Sequence, residues 1–196
     1  LTKKRGVGQM ENSSIITIFN EEEISKKVKE LGETITEDYK DKDLVLIGNL
    51  KGGFIFLADL CREIMDERVA IDFVQTIGYR GDIDIRSKII IKRGAHDLDV
   101  PIENKHVLLV DDIVDTGRTL SLLKKTFAMK GVNAASIKTC TFINKHERRE
   151  TTLIPDYYGF NVLEGFVLGY GMALGDKYRS LKGIHSFKKN GFNCGS

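Results

Sequence analysis

Short, unbroken apolar runs alternate with segments of helical periodicity along most of this chain, and no other feature narrows its fold as much. Leu44-Val45-Leu46-Ile47-Gly48 and Val107-Leu108-Leu109-Val110 show no polar alternation. Such runs suit strands buried on both faces, as in a parallel sheet covered by helices. Val69–Val74, Ile89–Ile91 and Ala135–Ile143 read as three more strands. Helices are predicted from about Glu21, over about Phe54–Met65, and over about Arg118–Lys130 with Gly131 as the stop. The first is opened by Asn20, with Glu23 three residues on as its capping-box partner. Ile24, Val28, Leu31 and Ile35 then fall on one face. This succession predicts an α/β fold, a mainly parallel twisted sheet flanked by helices. Ligands of such sheets bind beyond the carboxyl ends of the strands.

A chain of 196 residues is ample for one core and short for two. Residues 15–187 are expected to form a single domain, with 1–14 and 188–196 as loose ends. Lysine plus arginine is 30 and aspartate plus glutamate is 28, a net charge of +2. That is too small for a binder that works by strong attraction to nucleic acid or membrane. No apolar run approaches the ~20 residues of a membrane helix. Leu1–Ser14 is basic and polar, without the apolar centre of a secretory signal. Cys61, Cys140 and Cys194 have no CxxC spacing, which fits a reducing, cytoplasmic setting and offers neither a zinc site nor a disulfide framework.

The chemistry concentrates in Val107 to Leu120, VLLVDDIVDTGRTL. An apolar strand delivers two adjacent carboxylates, Asp111 and Asp112. A short loop supplies a third, Asp115, and Thr116-Gly117-Arg118-Thr119 opens a helix. A helix amino terminus presents unpaired amides and the positive end of its dipole, which favours phosphate. Gly117 lets backbone approach an anion closely, and Thr116 and Thr119 add hydroxyl donors. Carboxylates beside such a nest suit sugar hydroxyls or a divalent metal. Singly, each of these acids reads as readily as a turn or cap residue; together they point to a site. No lysine follows Gly117, so the segment is not a Walker A loop. Three other segments have plain readings of their own. Leu50-Lys51-Gly52-Gly53 reads as a strand-to-helix turn, Phe166-Val167-Leu168 as a core strand, and Ile143–Arg149 as a solvated charged loop.

VLLVDDIVDTGRTL resembles the phosphoribosyl-pyrophosphate (PRPP) signature of the type I phosphoribosyltransferases: four apolar residues, two acidic, two apolar, then Asp-Thr-Gly-x-Thr. With Leu50-Lys51-Gly52-Gly53 and Phe166-Val167-Leu168-Gly169-Tyr170-Gly171, the chain is similar to the hypoxanthine-guanine branch over about residues 20–182. The resemblance implies that family's fold, with a small hood formed by the terminal segments. It implies that Asp111 and Asp112 hold the ribose hydroxyls and associated Mg2+. The loop of Asp115, Thr116, Gly117, Arg118 and Thr119 would grip the 5′-phosphate, with Asp115 as general base at N7 of the base. Lys51, Gly52 and Arg179 would border pyrophosphate, with the Leu50–Lys51 peptide strained or cis. Phe166 would stack on the purine, backbone groups of Val167 would read its edge, and Lys145 would donate to its 6-oxygen in a loop oriented by Arg149. Tyr79, in the glycine-flanked stretch Ile77–Asp82, falls on the tyrosine of the family's mobile lid, where Gly78 replaces the usual serine. One departure stands out. Ala173 occupies the place of an aspartate that serves a second magnesium, and Asp176 is the nearest candidate to compensate.

The implied activity is purine salvage. The 5-phosphoribosyl group of PRPP passes to hypoxanthine or guanine, with xanthine open, giving the nucleoside monophosphate and pyrophosphate. The implied protein is a cytoplasmic homodimer or homotetramer that binds neither nucleic acid nor membrane. Two readings compete. A PRPP- or nucleotide-binding regulator with little or no transferase activity would fit Ala173. A phosphoribosyltransferase for adenine, orotate or uracil would share the signature, but Lys145, Phe166 and the Lys51 turn speak against it.

Overall fold

The computed structural model describes residues 13–79, 88–129 and 132–189. In chain order the elements are β1 (Ser13–Phe19), α1 (Glu21–Asp38), β2 (Leu44–Leu50), α2 (Phe54–Glu63), β3 (Ala70–Tyr79), β4 (Lys88–Arg93), β5 (His106–Val114), α3 (Arg118–Phe127), β6 (Ser136–Lys145), β7 (Tyr157–Val162), β8 (Phe166–Leu168) and β9 (Ile184–Lys189). The main sheet runs β4-β3-β2-β5-β6-β7. Its neighbours are parallel except for the antiparallel β3–β4 edge. A second, antiparallel sheet of order β1-β9-β8 forms a hood from the two ends of the chain.

The unbroken apolar runs are explained by cover on both faces. Leu44, Leu46, Leu108 and Val110 pack with Ile24, Val28, Leu31 and Ile35 of α1 and with Phe56, Leu57 and Leu60 of α2. Their alternating neighbours Val45, Ile47, Val107 and Leu109 pack with Leu120, Leu123 and Phe127 of α3. Phe142 of β6 sits at the first face's centre, its ring 4.9 Å from Phe56, 5.0 Å from Tyr170 and 5.5 Å from Phe160. It thereby joins α2, β7 and the stretch after β8. Asn20 caps α1 in a capping box with Glu23, as the sequence predicts.

Several boundaries differ from expectation. β5 continues through Asp111 and Asp112 to Val114, paired with β6 as far as Asn144. The acids therefore stand within a strand rather than after it. β3 reaches Tyr79, and Ile77, Gly78 and Tyr79 pair with Ile90, Ile89 and Lys88. The first part of the expected lid loop is thus sheet, because apolar residues on both edges sustain the ladder; residues 80–87 lie outside the described residues. α3 ends at Phe127 with Ala128 as its cap, so the expected stop at Gly131 also lies outside them. Ser13 and Ser14 pair with Lys189 and Lys188, which carries the hood ladder past the expected ends of the folded region. Among the described residues no helix is long and apolar enough to cross a membrane.

Phe142 is fully buried. Phe142→Ala is expected to cost about 3–5 kcal/mol of folding stability, as read by denaturant unfolding with an unchanged m-value.

Candidate functional site

The carboxyl ends of β2, β5 and β6 meet the hood, and the signature residues gather there. Asp111 and Asp112 occupy consecutive positions of β5. Both are buried, at 5% and 8% exposure. Asp111 accepts from the Asn49 amide at 3.0 Å and from the backbone N–H of Asp112 at 3.1 Å. Asp112 accepts from the backbone N–H of Ile113 at 2.9 Å. These donors are neutral. Burial, and then the neighbouring Asp112 charge, push the Asp111 carboxyl well above the usual carboxylate range. Burial also raises Asp112. A side chain on Gly52 would fall on the Asp112 carboxylate, so the turn after β2 closes on the acid only as glycine.

Asn49 was not singled out by sequence reasoning. Its carbonyl oxygen accepts from the Thr76 backbone N–H at 3.2 Å and from the Thr76 hydroxyl at 2.9 Å. It thus fixes its amide toward Asp111 and ties β2 to β3 and β5. The signal was present as a polar residue inside the apolar run Leu44–Leu50.

The loop Asp115-Thr116-Gly117 carries β5 into α3. Gly117 lies in the left-handed region at φ 81°, and no side chain caps the helix. A side chain on Gly117 would also meet Thr151 and Arg149, so glycine is required there both conformationally and sterically. Arg149 holds this loop. Its guanidinium donates to the carbonyl oxygens of Asp115 (2.9 Å), Leu153 (2.6 Å), Val114 (3.2 Å) and Lys145 (2.8 Å), and to Asn144 Oδ1 (2.8 Å). One planar fork therefore locks the end of β5 to the end of β6.

Lys145 is the last residue of β6, not part of a solvated loop. Its side chain is only 6% exposed, and its ammonium lies 3.0 Å from Glu147 and 3.7 Å from Asp115. Asp115 Oδ1 is buried and accepts no hydrogen bond. Phe166 is 39% exposed, its ring set edge-on to Phe187 with centroids 6.4 Å apart; Val167 beside it is buried. The Leu50–Lys51 peptide is cis. Arg179 donates to the Gly171 carbonyl at 2.6 Å and lies 3.3 Å from Asp176, which is also 3.7 Å from Lys51. Asp176 therefore stands on the two cations of this corner, and Ala173 adds no second carboxylate there. Tyr79 ends β3 on the neighbouring strand.

Three cavities adjoin here. One of about 530 Å³ is lined by Asp115, Lys145, Glu147, Phe166, Val167 and Ala173 among others. A second of about 310 Å³ is lined by Asp111, Asp112 and the Asp115–Gly117 loop with Thr119, Lys51 and Gly52. A third of about 450 Å³ is lined by Lys51, Thr76, Ala173 and Asp176. Asp112 and Asp115 line the first two, and Arg179 lines all three. A wider groove of about 1050 Å³ lies elsewhere, along Thr36, Lys40, Met65 and Arg68. It holds none of the signature residues, so size alone misidentifies the site.

The chain is similar to known proteins along most of its length. The phosphoribosyl transferase domain family matches residues 14–173. The hypoxanthine phosphoribosyltransferase of Buchnera aphidicola is 42% identical over 181 residues, 90% of this chain and 98% of that one. The hypoxanthine phosphoribosyltransferase of Escherichia coli is 38% identical over 170 residues, 86% of this chain and 92% of that one. The crystal structure of a hypoxanthine-guanine phosphoribosyltransferase from Bacillus anthracis superposes with a TM-score of 0.79 at 38% identity, covering 90% of this chain and all of that one.

The acid pair sets a pH dependence. With its folded value raised above the unfolded one, Asp111 binds its proton more tightly in the folded protein. The stability this contributes is complete below the ordinary carboxylate range and is lost as pH rises through the raised value. Asp111→Asn is therefore expected to melt higher than wild type at pH 7, with the difference shrinking on acidification. Calorimetric scans of the unliganded protein between pH 4 and 8 check this.

Proposed function

The chain belongs to the phosphoribosyl transferase family, and we propose that its three joined cavities receive the base, the ribose 5-phosphate and the pyrophosphate of one transfer reaction. PRPP and a 6-oxopurine, hypoxanthine or guanine, give the nucleoside monophosphate and pyrophosphate, as befits a purine salvage enzyme. The observation that carries this reading is the placement of Asp115. Asp115 lines both the cavity with Phe166 and the cavity with the helix amino terminus. A group at that junction faces the new bond between base and sugar.

In this reading the amides and hydroxyls of Thr116, Gly117, Arg118 and Thr119 hold the 5′-phosphate at the start of α3. Asp111 and Asp112 accept from the ribose hydroxyls. Phe166 stacks on the purine, an aromatic face meeting a planar π system. Backbone groups of Val167 pair with the base edge. The Lys145 ammonium donates to the 6-oxygen; a 6-amino group, itself a donor, would be left unpaired. Lys51, Gly52 and Arg179 border the pyrophosphate, for which a guanidinium fork is well shaped. Tyr79 would join a lid that keeps water from the reactive sugar.

The family implies magnesium, and the donor set fits it. Two desolvated carboxylates with neutral donors leave charge for a cation to meet, and Mg2+ is commonly held by one or two carboxylates plus substrate oxygens and water. Among the described residues no group of three or more His, Cys, Asp or Glu side chains is arranged to hold a metal. Asp111 and Asp112 are the residues that would hold Mg2+. Bound there, it would offset the charge of the departing pyrophosphate. Lys51, Arg179 and the backbone amides of the turn add to that stabilisation. As the bond from N9 to C1′ forms and the bond from C1′ to the pyrophosphate oxygen breaks, with its electron pair leaving on pyrophosphate, Asp115 takes the N7 proton. In reverse it returns that proton. Residues 15–187 act in this proposal as one domain, in a cytoplasmic homodimer or homotetramer.

Asp115→Asn is expected to retain PRPP binding and to lose about 10²–10⁴-fold in turnover, the usual contribution of a positioned general base. Titration of PRPP together with steady-state pyrophosphate release checks both halves. Near wild-type turnover would remove Asp115 from this role.

A further inference from the structure

We infer that Glu147 is a positioning residue that determines specificity, placing the Lys145 ammonium for the 6-oxygen and tying it to the strand that stacks the base. The inference rests on the 6-oxopurine reading above. Lys145 has two anionic neighbours, Glu147 at 3.0 Å and Asp115 at 3.7 Å. Its side chain is almost wholly buried, whereas that of Glu147 is 46% exposed at the cavity's rim. A buried ammonium must have a partner, so it settles on whichever carboxylate competes best. Without Glu147 that partner is Asp115. The donor for the 6-oxygen and the acceptor for the N7 proton would then satisfy one another across the cavity, and neither would be free for the base. Arg148 already approaches Asp115 from solvent at 3.4 Å, so losing Glu147 would leave Asp115 between two cations.

Glu147 draws the ammonium away from Asp115. The Lys145 charge in turn holds the Glu147 carboxyl below its ordinary range. The same carboxylate accepts from the backbone N–H of Gly165 at 3.3 Å. Gly165 immediately precedes Phe166, so one side chain links the cation on β6 to the base-stacking strand β8. The edge that reads position 6 and the surface that stacks the ring are thus set at a fixed spacing.

The test is steady-state kinetics of Glu147→Ala and Glu147→Gln with hypoxanthine, guanine and adenine, alone and combined with Lys145→Met. In Glu147→Ala the KM for hypoxanthine is expected to rise about tenfold, the lower range for losing a hydrogen bond from a charged donor. Preference for hypoxanthine over adenine should fall by a similar factor. Glu147→Gln, which keeps the shape and loses the charge, should fall between Ala and wild type. The KM for PRPP and the melting temperature should stay at wild-type values. In the Lys145→Met background Glu147→Ala should add nothing further, because the residue acts through Lys145. A base KM within twofold of wild type in both single variants would overturn the inference. So would a full additional rise on top of Lys145→Met, or a parallel rise in the KM for PRPP with a lowered melting temperature. A wild-type protein that transfers to neither hypoxanthine nor guanine would overturn the 6-oxopurine reading itself, and this inference with it.

Discussion

Two carboxylates buried side by side in the central strand are the constraint to which the rest of this molecule conforms. Charge in a dry interior is unfavourable unless matched; the hydrogen bonds to Asp111 and Asp112 come from neutral donors, and only the Arg179 charge acts on Asp112. A sequence selected for stability alone would not place them in β5 between Val110 and Ile113. The strand ends two residues after Asp112, and an open cavity adjoins both acids. The unliganded fold accepts local instability in return for a prepared site.

The surrounding structure supplies precision. Asn49 turns its amide to Asp111 because both hydrogen-bonding groups of Thr76 fix its carbonyl. Gly52 and Gly117 bring backbone to positions where any side chain would collide. Arg149 holds the tips of β5 and β6 together through five acceptors, so Asp115 and Lys145 face each other across one cavity without a direct hydrogen bond. The hood returns from the far end of the chain to place Phe166 opposite them. Residues distant in sequence thus meet because parallel strands present all their carboxyl ends on one side of the sheet.

Much of this was legible beforehand. The apolar runs of β2 and β5 announced cover on both faces, and Asn20 with Glu23 announced the start of α1. The acid pair and the Asp115–Thr119 loop were recognisable because backbone approach and helix-end chemistry depend on residue type at fixed spacing, whereas the Lys51 turn stood out only through the family resemblance. Side-chain partnerships across the fold were not. Nothing local shows that Glu147 accepts from Gly165, that Asp176 lies on Lys51 and Arg179, or that Arg149 bonds to Val114 and Leu153. By its neighbours alone Lys145 reads as a solvated charge among His, Glu and Arg, and only the family resemblance gave it a role at the base; it ends a strand and is buried. Strand limits were also underestimated: Ile77 to Tyr79 and Ile113 to Val114 extend their strands because a partner strand offers pairing, which a single sequence does not reveal.

Asp176 lies against both Lys51 and Arg179, with Ala173 on the same cavity wall. The proposed function depends on the junction of acids, loop and helix start. Amide NMR during titration with inosine 5′-monophosphate, set against inosine without its phosphate, examines that junction directly. Shifts concentrated in the backbone amides of Thr116, Gly117, Arg118 and Thr119, present with the monophosphate and absent with the nucleoside, are the predicted result. Unmoved amides in that loop at saturating monophosphate, or equal shifts with both ligands, would contradict the assignment of this corner to a sugar phosphate.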